Sequence, residues 1–216
     1  AVLIGDYIFA RTYHVCLQNK GWDMLTEVTR SIHEVSEGEL IQTEQTEKLA
    51  MTREIYYDII YKKTASLLGV SASAGALAVG ATRDRVATMR RFGEAVGMAF
   101  QIQDDILDYT PTAHTGKPAN NDLREGKITL PLLSVLDRAS DSRRRELLER
   151  LSRCHESDEE VEYLRSTVEN EGGLSFAAEV MQGYIARAVE MLSDYPDSEY
   201  RSALVNLCAY IAERDR

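Results

Sequence analysis

The stretch FQIQDDILDY, residues 100–109, places three aspartates among phenylalanine, isoleucine and leucine side chains. On an α-helix one glutamine and these aspartates fall at i, i+3, i+4 and i+7, which is a single face: Gln101, Asp104, Asp105 and Asp108. Phe100, Ile102, Ile106 and Leu107 cover most of the remaining surface, and the apolar surface continues upstream through residues 96–99. Because a helix that is apolar nearly all round is buried, the stretch predicts a core helix with one narrow acidic stripe, formed by the three aspartates.

The surrounding sequence predicts an all-α bundle of about eight to ten helices, which we expect to form one domain over residues 1–216. Only four prolines occur, the other stretches are rich in strong helix formers, and strand-like alternation is scarce. The predicted helices cover 2–19, 23–46, 52–80 (two segments), 84–109, 129–139, 141–153, 157–171, 174–194 and 197–214. Residues 110–126 form the one long turn-rich segment. The helix over 23–46 is expected to turn one apolar stripe inward: Leu25, Val28, Ile32, Val35 and Ile41.

Composition excludes several classes of function. A net charge of −10 argues against general binding to nucleic acid, which needs a basic surface. No apolar run reaches the roughly 20 residues that span a bilayer. The three cysteines are far apart, without zinc-binding spacing, and indicate reduced thiols in a cytoplasmic protein.

The acidic stripe has two interpretations. Carboxylates at this spacing often belong to a solvated helix face. Inside a bundle, however, three carboxylates repel one another and lose hydration, so they must be protonated or meet a cation. Ligands that are all oxygen favour a hard ion, and Mg²⁺ usually takes one or two carboxylates together with water and substrate phosphates. The apolar surroundings therefore favour magnesium, and with it a phosphorylated ligand.

Basic groups for such a ligand lie in the loop that follows the acidic helix: Lys117, Arg124 and Lys127. A loop in this place can fold back and set positive groups against phosphate oxygens. A charged surface loop is the alternative. Lys63 and Thr64, on a helix of otherwise small and apolar residues, form a second candidate pair; alternatively this lysine simply reaches solvent. Glycines in the helices suit close packing, and no phosphate-binding loop motif is present: Gly5, Gly69, Gly75, Gly80, Gly93 and Gly97.

An ordered set of motifs along nearly the whole chain resembles the trans-isoprenyl diphosphate synthases, or polyprenyl synthetases. The motifs are GDYIFA (5–10), SEGELIQ (36–42), KKTASLL (62–68), FQIQDDILD (100–108) and GKPANNDLREGKITLPLL (116–133). The last two together are highly specific, and match the family's second aspartate-rich motif and the lysines after it. The resemblance implies an all-α bundle around a central apolar cavity, normally homodimeric. It also implies an enzyme that condenses an allylic diphosphate with isopentenyl diphosphate, using three Mg²⁺ ions.

The resemblance further implies roles for individual residues. The magnesium ligands are Asp104, Asp105 and Asp108. The substrate-binding residues are Lys63, Lys117 and Lys127, and of these Lys117 would contact the allylic diphosphate. The groups that line the developing allylic cation are Lys63, Thr64 and Gln101. Magnesium and lysine take up charge on the leaving diphosphate, while side-chain dipoles face the cation.

One departure from the family pattern concerns its first aspartate-rich motif and an arginine pair, which precede the GDYIFA segment and are absent from this chain. We therefore expect a longer natural protein with further N-terminal helices, and little activity from this chain alone, since positioning and charge stabilisation fail together.

The closing helices resemble the long-chain branch, of octaprenyl or heptaprenyl type, with at most peripheral membrane contact through the product. The alternative function is a non-catalytic subunit of a heteromeric synthase; the intact acidic stripe argues against it. Terpene cyclisation is disfavoured by the lysine loop.

Overall fold

The computed structural model describes residues 2–110 and 120–214. Within these ranges the chain forms eleven α-helices and one π-helical turn, without a β-strand. The elements are α1 (Val2–Gln18), α2 (Trp22–Lys48), α3 (Arg53–Ile60), the π-turn (Tyr61–Ala65), α4 (Ser66–Ala78), α5 (Arg83–Asp108), α6 (Asn121–Arg124), α7 (Leu130–Arg138), α8 (Asp141–Leu151), α9 (Asp158–Asn170), α10 (Gly173–Met191) and α11 (Glu199–Glu213).

The predicted helices are confirmed, with ends that differ from the structure by three residues or fewer. Two details differ. The segment over 52–80 runs from α3 through the π-turn into α4 without a break. The two predicted segments are thus separated by a π-helical turn and not by a loop. The turn-rich segment contains α6, a single helical turn that composition did not indicate, and its residues 111–119 lie outside the described part. Helix α6 explains why the described residues contain one α-helix more than the ten predicted segments.

Helix α5 lies at the centre of the bundle and packs mainly against α4 and α10. From Phe92 to Ile102 most of its side chains are buried, and Ala99 and Ile102 are fully inaccessible. Thr82 caps the helix: its hydroxyl accepts a hydrogen bond from the backbone N–H of Arg85 at 3.4 Å. The prediction of a core helix is therefore confirmed for the half of α5 that carries the acidic stripe.

Three glycines let the neighbouring helices approach α5 closely. A Cβ at Gly97 would lie 2.5 Å from the Cα of Ala65 in the π-turn, and one at Gly93 would lie 2.4 Å from the carbonyl oxygen of Leu68. At Gly69 a Cβ would meet the side chain of Glu94 at 2.6 Å. The prediction of close packing is wrong for the other three, which have open space around them: Gly5, Gly75 and Gly80.

Helix α2 contacts the π-turn and α4 through small residues. Its fully buried positions are Ser31 and Gly38, and a Cβ at Gly38 would lie 2.9 Å from the side chains of Lys62 and Lys63. The closest contacts are thus made by small residues, whereas the predicted inner stripe is partly buried: Leu25, Val28, Ile32, Val35 and Ile41. Side chains that large would hold the backbones apart, whereas glycine and serine allow contact. The close approach sets Lys63 against α2.

Helix α7 follows the candidate site and is anchored deep in the core. Pro131 lies in its first turn, where a missing N–H is no loss. All residues from Leu130 to Leu136 are buried. Since the helix cannot shift without exposing this surface, it gives the preceding loop a fixed end.

Helix α1 differs from the others because it has no buried residue. It packs on α2 and leaves large apolar side chains exposed, for example Leu3 at 82% and Tyr7 at 69%. Among the described residues, no helix is both long and apolar enough to cross a membrane.

Candidate active site

A chain of hydrogen bonds connects the π-turn to the acidic stripe. The hydroxyl of Thr64 donates to Gln101 Oε1 at 2.8 Å, and Gln101 Nε2 donates to Asp105 Oδ1 at 3.1 Å. Tyr56 of α3 donates its phenol O–H to the other carboxylate oxygen, Asp105 Oδ2, at 2.6 Å. Two predicted polar residues are thus held by a buried aspartate, and the close contact at Gly97 sets the spacing of the helices that carry them.

Asp105 is only 4% exposed, and the pKa of its carboxyl is raised. Burial, together with the negative charges of Asp122 and Asp104, raises the pKa of its carboxyl to about 7. The hydrogen bonds from Tyr56 and Gln101 oppose this rise in pKa because they stabilise the carboxylate. A carboxylate in this position is one that a nearby cation would stabilise.

Asp108 ends α5 and caps α6. Its Oδ1 accepts from the backbone N–H of Asn121 at 3.1 Å, and its Oδ2 accepts from that of Asp122 at 2.9 Å. Asn120 supports this turn in a left-handed conformation (φ 63°), which asparagine tolerates better than most residues. Burial and the negative charge of Asp108 raise the pKa of Asp122 to about 6. Asp108 and Asp122 therefore lie close together at the end of α5.

Two predicted lysines reach this acidic end from different elements. Lys127 Nζ lies 2.5 Å from Glu125 Oε2 and 3.8 Å from Asp122 Oδ1. Lys63 Nζ pairs with Glu39 Oε1 of α2 at 3.1 Å and also donates to Gln42 Oε1. The positive charges of both lysines lower the pKa of Asp122, so both lie in the neighbourhood of this carboxyl.

Asp104, the first aspartate of the stripe, forms an ion pair with Arg214, which follows α11. The guanidinium also lies over the Phe100 ring, 4.1 Å from its centroid, and donates from Nη2 to the Phe100 carbonyl at 3.3 Å. Gln103 Nε2 donates to the carbonyl oxygen of Arg214 at 2.9 Å. The end of α11 is therefore tied to α5 next to the candidate site.

The three aspartates contact different elements, although Asp104 and Asp108 lie one turn apart on the same side of α5 and only Asp105 points about 100° away from Asp104. Asp104 faces α11, Asp105 faces α3 and the π-turn, and Asp108 faces α6. Within residues 2–110 and 120–214, no three histidine, cysteine or acidic side chains gather closely enough to hold a metal by themselves. What the site offers is oxygen ligands from one or two carboxylates, which is the number that Mg²⁺ commonly takes when water and phosphates complete its shell. With water and phosphates completing the coordination shell, this set of ligands fits magnesium.

The structure brings together most of the predicted site residues: Lys63, Thr64, Gln101, Asp105, Asp108 and Lys127. Arg124 does not join them. Its guanidinium pairs with Asp158 of α9 at 2.6 Å, so its assignment to the basic group was wrong. Lys117 lies outside the described residues.

Sequence reasoning missed three residues of this region. Asp122 was overlooked because the loop around it was assigned to positive charge, although DLREGK contains two acidic residues. Tyr56 had a weak signal, a hydroxyl in a largely apolar helix. Arg214 had none, since it lies 110 residues away from its partner along the chain.

Comparison with known proteins identifies the family. The family model described as polyprenyl synthetase matches residues 1–168. A short chain isoprenyl diphosphate synthase of Methanothermobacter thermautotrophicus is 32% identical, with 100% of this chain and 67% of that protein aligned. An all-trans-nonaprenyl-diphosphate synthase (geranyl-diphosphate specific) of Rhodobacter capsulatus is 34% identical, with 99% and 65% aligned.

A solved structure has the same fold. The polyprenyl synthase of Caulobacter crescentus, crystallised with calcium and isoprenyl diphosphate, superposes with a TM-score of 0.90 at 32% identity and covers 100% of this chain and 66% of that one. The chain thus spans about two thirds of the length of the relatives it matches. It has the all-α isoprenoid-synthase fold and belongs to the polyprenyl synthetase family.

Proposed function

We propose that this chain carries the allylic-diphosphate part of a prenyltransferase that joins an allylic prenyl diphosphate to isopentenyl diphosphate. The observation that carries the proposal is the hydrogen-bonded chain Thr64–Gln101–Asp105 beside two lysines from separate elements. Such a site sets polar oxygens, carboxylates and fixed positive charges side by side. Prenyl transfer needs all three, because a diphosphate leaves while an allylic cation develops.

The proposed metal ligands are Asp105 and Asp108, with Asp104 as a third carboxylate at the edge of the group. Bound magnesium would neutralise charge on the diphosphate and make it a better leaving group. Support comes from the Caulobacter relative, which was crystallised with a divalent cation and isoprenyl diphosphate.

The residues of this chain would act on the diphosphate and the cation separately. Lys63 and Lys127, together with Lys117, would hold diphosphate oxygens and keep them in place after the C–O bond breaks. The oxygens of Thr64 and Gln101 would face the positive charge on the allylic carbons. The allylic cation then forms a bond with the double bond of isopentenyl diphosphate, and the released diphosphate takes the proton that is lost. Buried neighbours such as Ile102 exclude water, which would otherwise quench the cation.

We also propose that the protein works as a homodimer and that residues 1–216 form a single domain. The exposed apolar face of α1 supports a further protein surface against it, because single apolar side chains are common on surfaces but a whole apolar helix face is not. Long-chain products of octaprenyl or heptaprenyl length remain a proposal based on the resemblance.

The test is transfer of labelled isopentenyl diphosphate onto geranyl diphosphate by the longer protein that contains this chain. Asp108→Asn should lower kcat by at least about 100-fold, since it weakens charge stabilisation in the transition state. Asp84→Asn, in the exposed first turn of the same helix, is the matched control and should leave turnover near normal. Equal turnover in both variants would disprove the catalytic assignment and favour the non-catalytic subunit.

A further inference from the structure

Arg214, the first residue after α11, is fixed by its backbone and by its side chain. Arg214 has an extended backbone (φ −63°, ψ 139°), and its N–H donates to the carbonyl oxygen of Tyr210 at 2.9 Å. Its side chain is 11% exposed and contacts α5 through an ion pair, a carbonyl and an aromatic ring. Ile211, one turn earlier, is buried in the core, so the residue is anchored from two sides.

The contact between Arg214 and α5 leaves one polar atom of the guanidinium without a hydrogen-bond partner in the described part of the chain. The guanidinium Nε of Arg214 is buried and has no hydrogen-bond partner among the described residues. A buried donor without a partner disfavours the state that contains it. The ion pair with Asp104 offsets this cost, and the Asp104 side chain is 43% exposed, so that a dissolved cation can reach it. The carboxylate is therefore placed where Arg214 and an incoming cation both act on it.

We propose that Arg214 is a positioning residue that acts through Asp104: its guanidinium holds the first aspartate of the stripe and competes with the divalent cation for it. The inference rests on the proposed function, since it needs a metal at the acidic stripe. A fixed positive charge beside a carboxylate weakens the binding of a second positive charge there. By thermodynamic linkage, a metal that takes Asp104 must in turn loosen the contact between α5 and the end of α11.

The first experiment measures Mn²⁺ binding to this chain by the electron paramagnetic resonance signal of the free ion. Arg214→Gln removes the competing charge and should bind Mn²⁺ about tenfold more tightly than the unmodified chain at low ionic strength. Arg214→Lys keeps the charge and should stay within about twofold. The matched control is Arg91→Gln on α5, whose side chain is exposed and contacts Thr88 on its own helix. It makes the same change in net charge and should leave the affinity unchanged.

The second experiment measures whether Mg²⁺ loosens the end of α11, by amide hydrogen exchange followed by mass spectrometry. Mg²⁺ should speed exchange in the last turn of α11, residues 210–214. In Asp104→Asn, the ion pair is already gone, so exchange there should be fast from the start and indifferent to Mg²⁺. This readout depends on neither turnover nor product.

The outcomes separate this inference from the proposed function. If Mn²⁺ binds but Arg214→Gln and Arg91→Gln have the same affinity, the competition is disproved while the metal site stands. If the chain binds no Mn²⁺, or binds it equally after Asp105→Asn and Asp108→Asn, both the metal site and the inference are disproved.

Discussion

Gly97→Ala tests whether the close contact between α5 and the π-turn positions the candidate site. A Cβ at Gly97 would lie 2.5 Å from the Cα of Ala65 and 3.2 Å from its backbone nitrogen, so backbone must move. The substitution gains about 1 kcal/mol of helix propensity. It loses about 1–3 kcal/mol through overpacking, towards the upper end because no side chain can rotate away. We expect a net loss of about 1–2 kcal/mol in the free energy of unfolding.

Gly75→Ala is the matched control for this prediction. Gly75 lies within α4, and a Cβ there would meet nothing within 4 Å. The control should therefore gain up to about 1 kcal/mol, so that the two variants differ by about 2–3 kcal/mol. Urea denaturation followed by far-ultraviolet circular dichroism gives both values. If Gly97→Ala proves as stable as Gly75→Ala, the helices are not held at contact distance and the argument for the Thr64–Gln101 spacing fails.

Three further predictions concern acidity, thiols and a helix cap. Because the pKa of Asp105 is about 7 in the folded protein against the ordinary aspartate value of 3.8, the unfolded state loses its proton first as pH rises. In metal-free buffer, stability should thus fall by up to about 4 kcal/mol between pH 4 and 7, and Asp105→Asn should flatten that dependence in urea titrations. Iodoacetamide at pH 8 should label Cys16 before Cys154 and Cys208, which are fully buried and have raised pKa values; peptide mapping by mass spectrometry checks the order. Ser198→Ala removes the cap of α11 and should cost about 1 kcal/mol in thermal denaturation.

The helices were predictable because their apolar periodicity and breaks are local features of the sequence. Proline, glycine and capping residues such as Thr82 mark the ends, and those ends were found to within three residues. The position of the closest contact of α2 was not predictable in the same way. Apolar periodicity favoured large side chains, whereas the tightest contact is at Gly38, whose role depends on what packs against it.

The candidate site was predictable in composition but not in arrangement. The stripe spacing identified the carboxylates, and the family resemblance identified the lysines and the Thr64–Gln101 pair. The partners of the aspartates came from other elements: Tyr56 from α3, Asp122 from α6 and Arg214 from beyond α11. Such long-range pairs leave no periodic signal in the sequence, so only the fold reveals them.

The measurement that tests the central claim most directly is calorimetric titration of this chain with geranyl diphosphate, with and without Mg²⁺. The account predicts binding that requires Mg²⁺ and is weakened at least about tenfold by Lys127→Met, which removes one positive charge facing the acidic end of the site. Binding that is equally strong without Mg²⁺, or no binding at millimolar ligand with Mg²⁺ present, would contradict it.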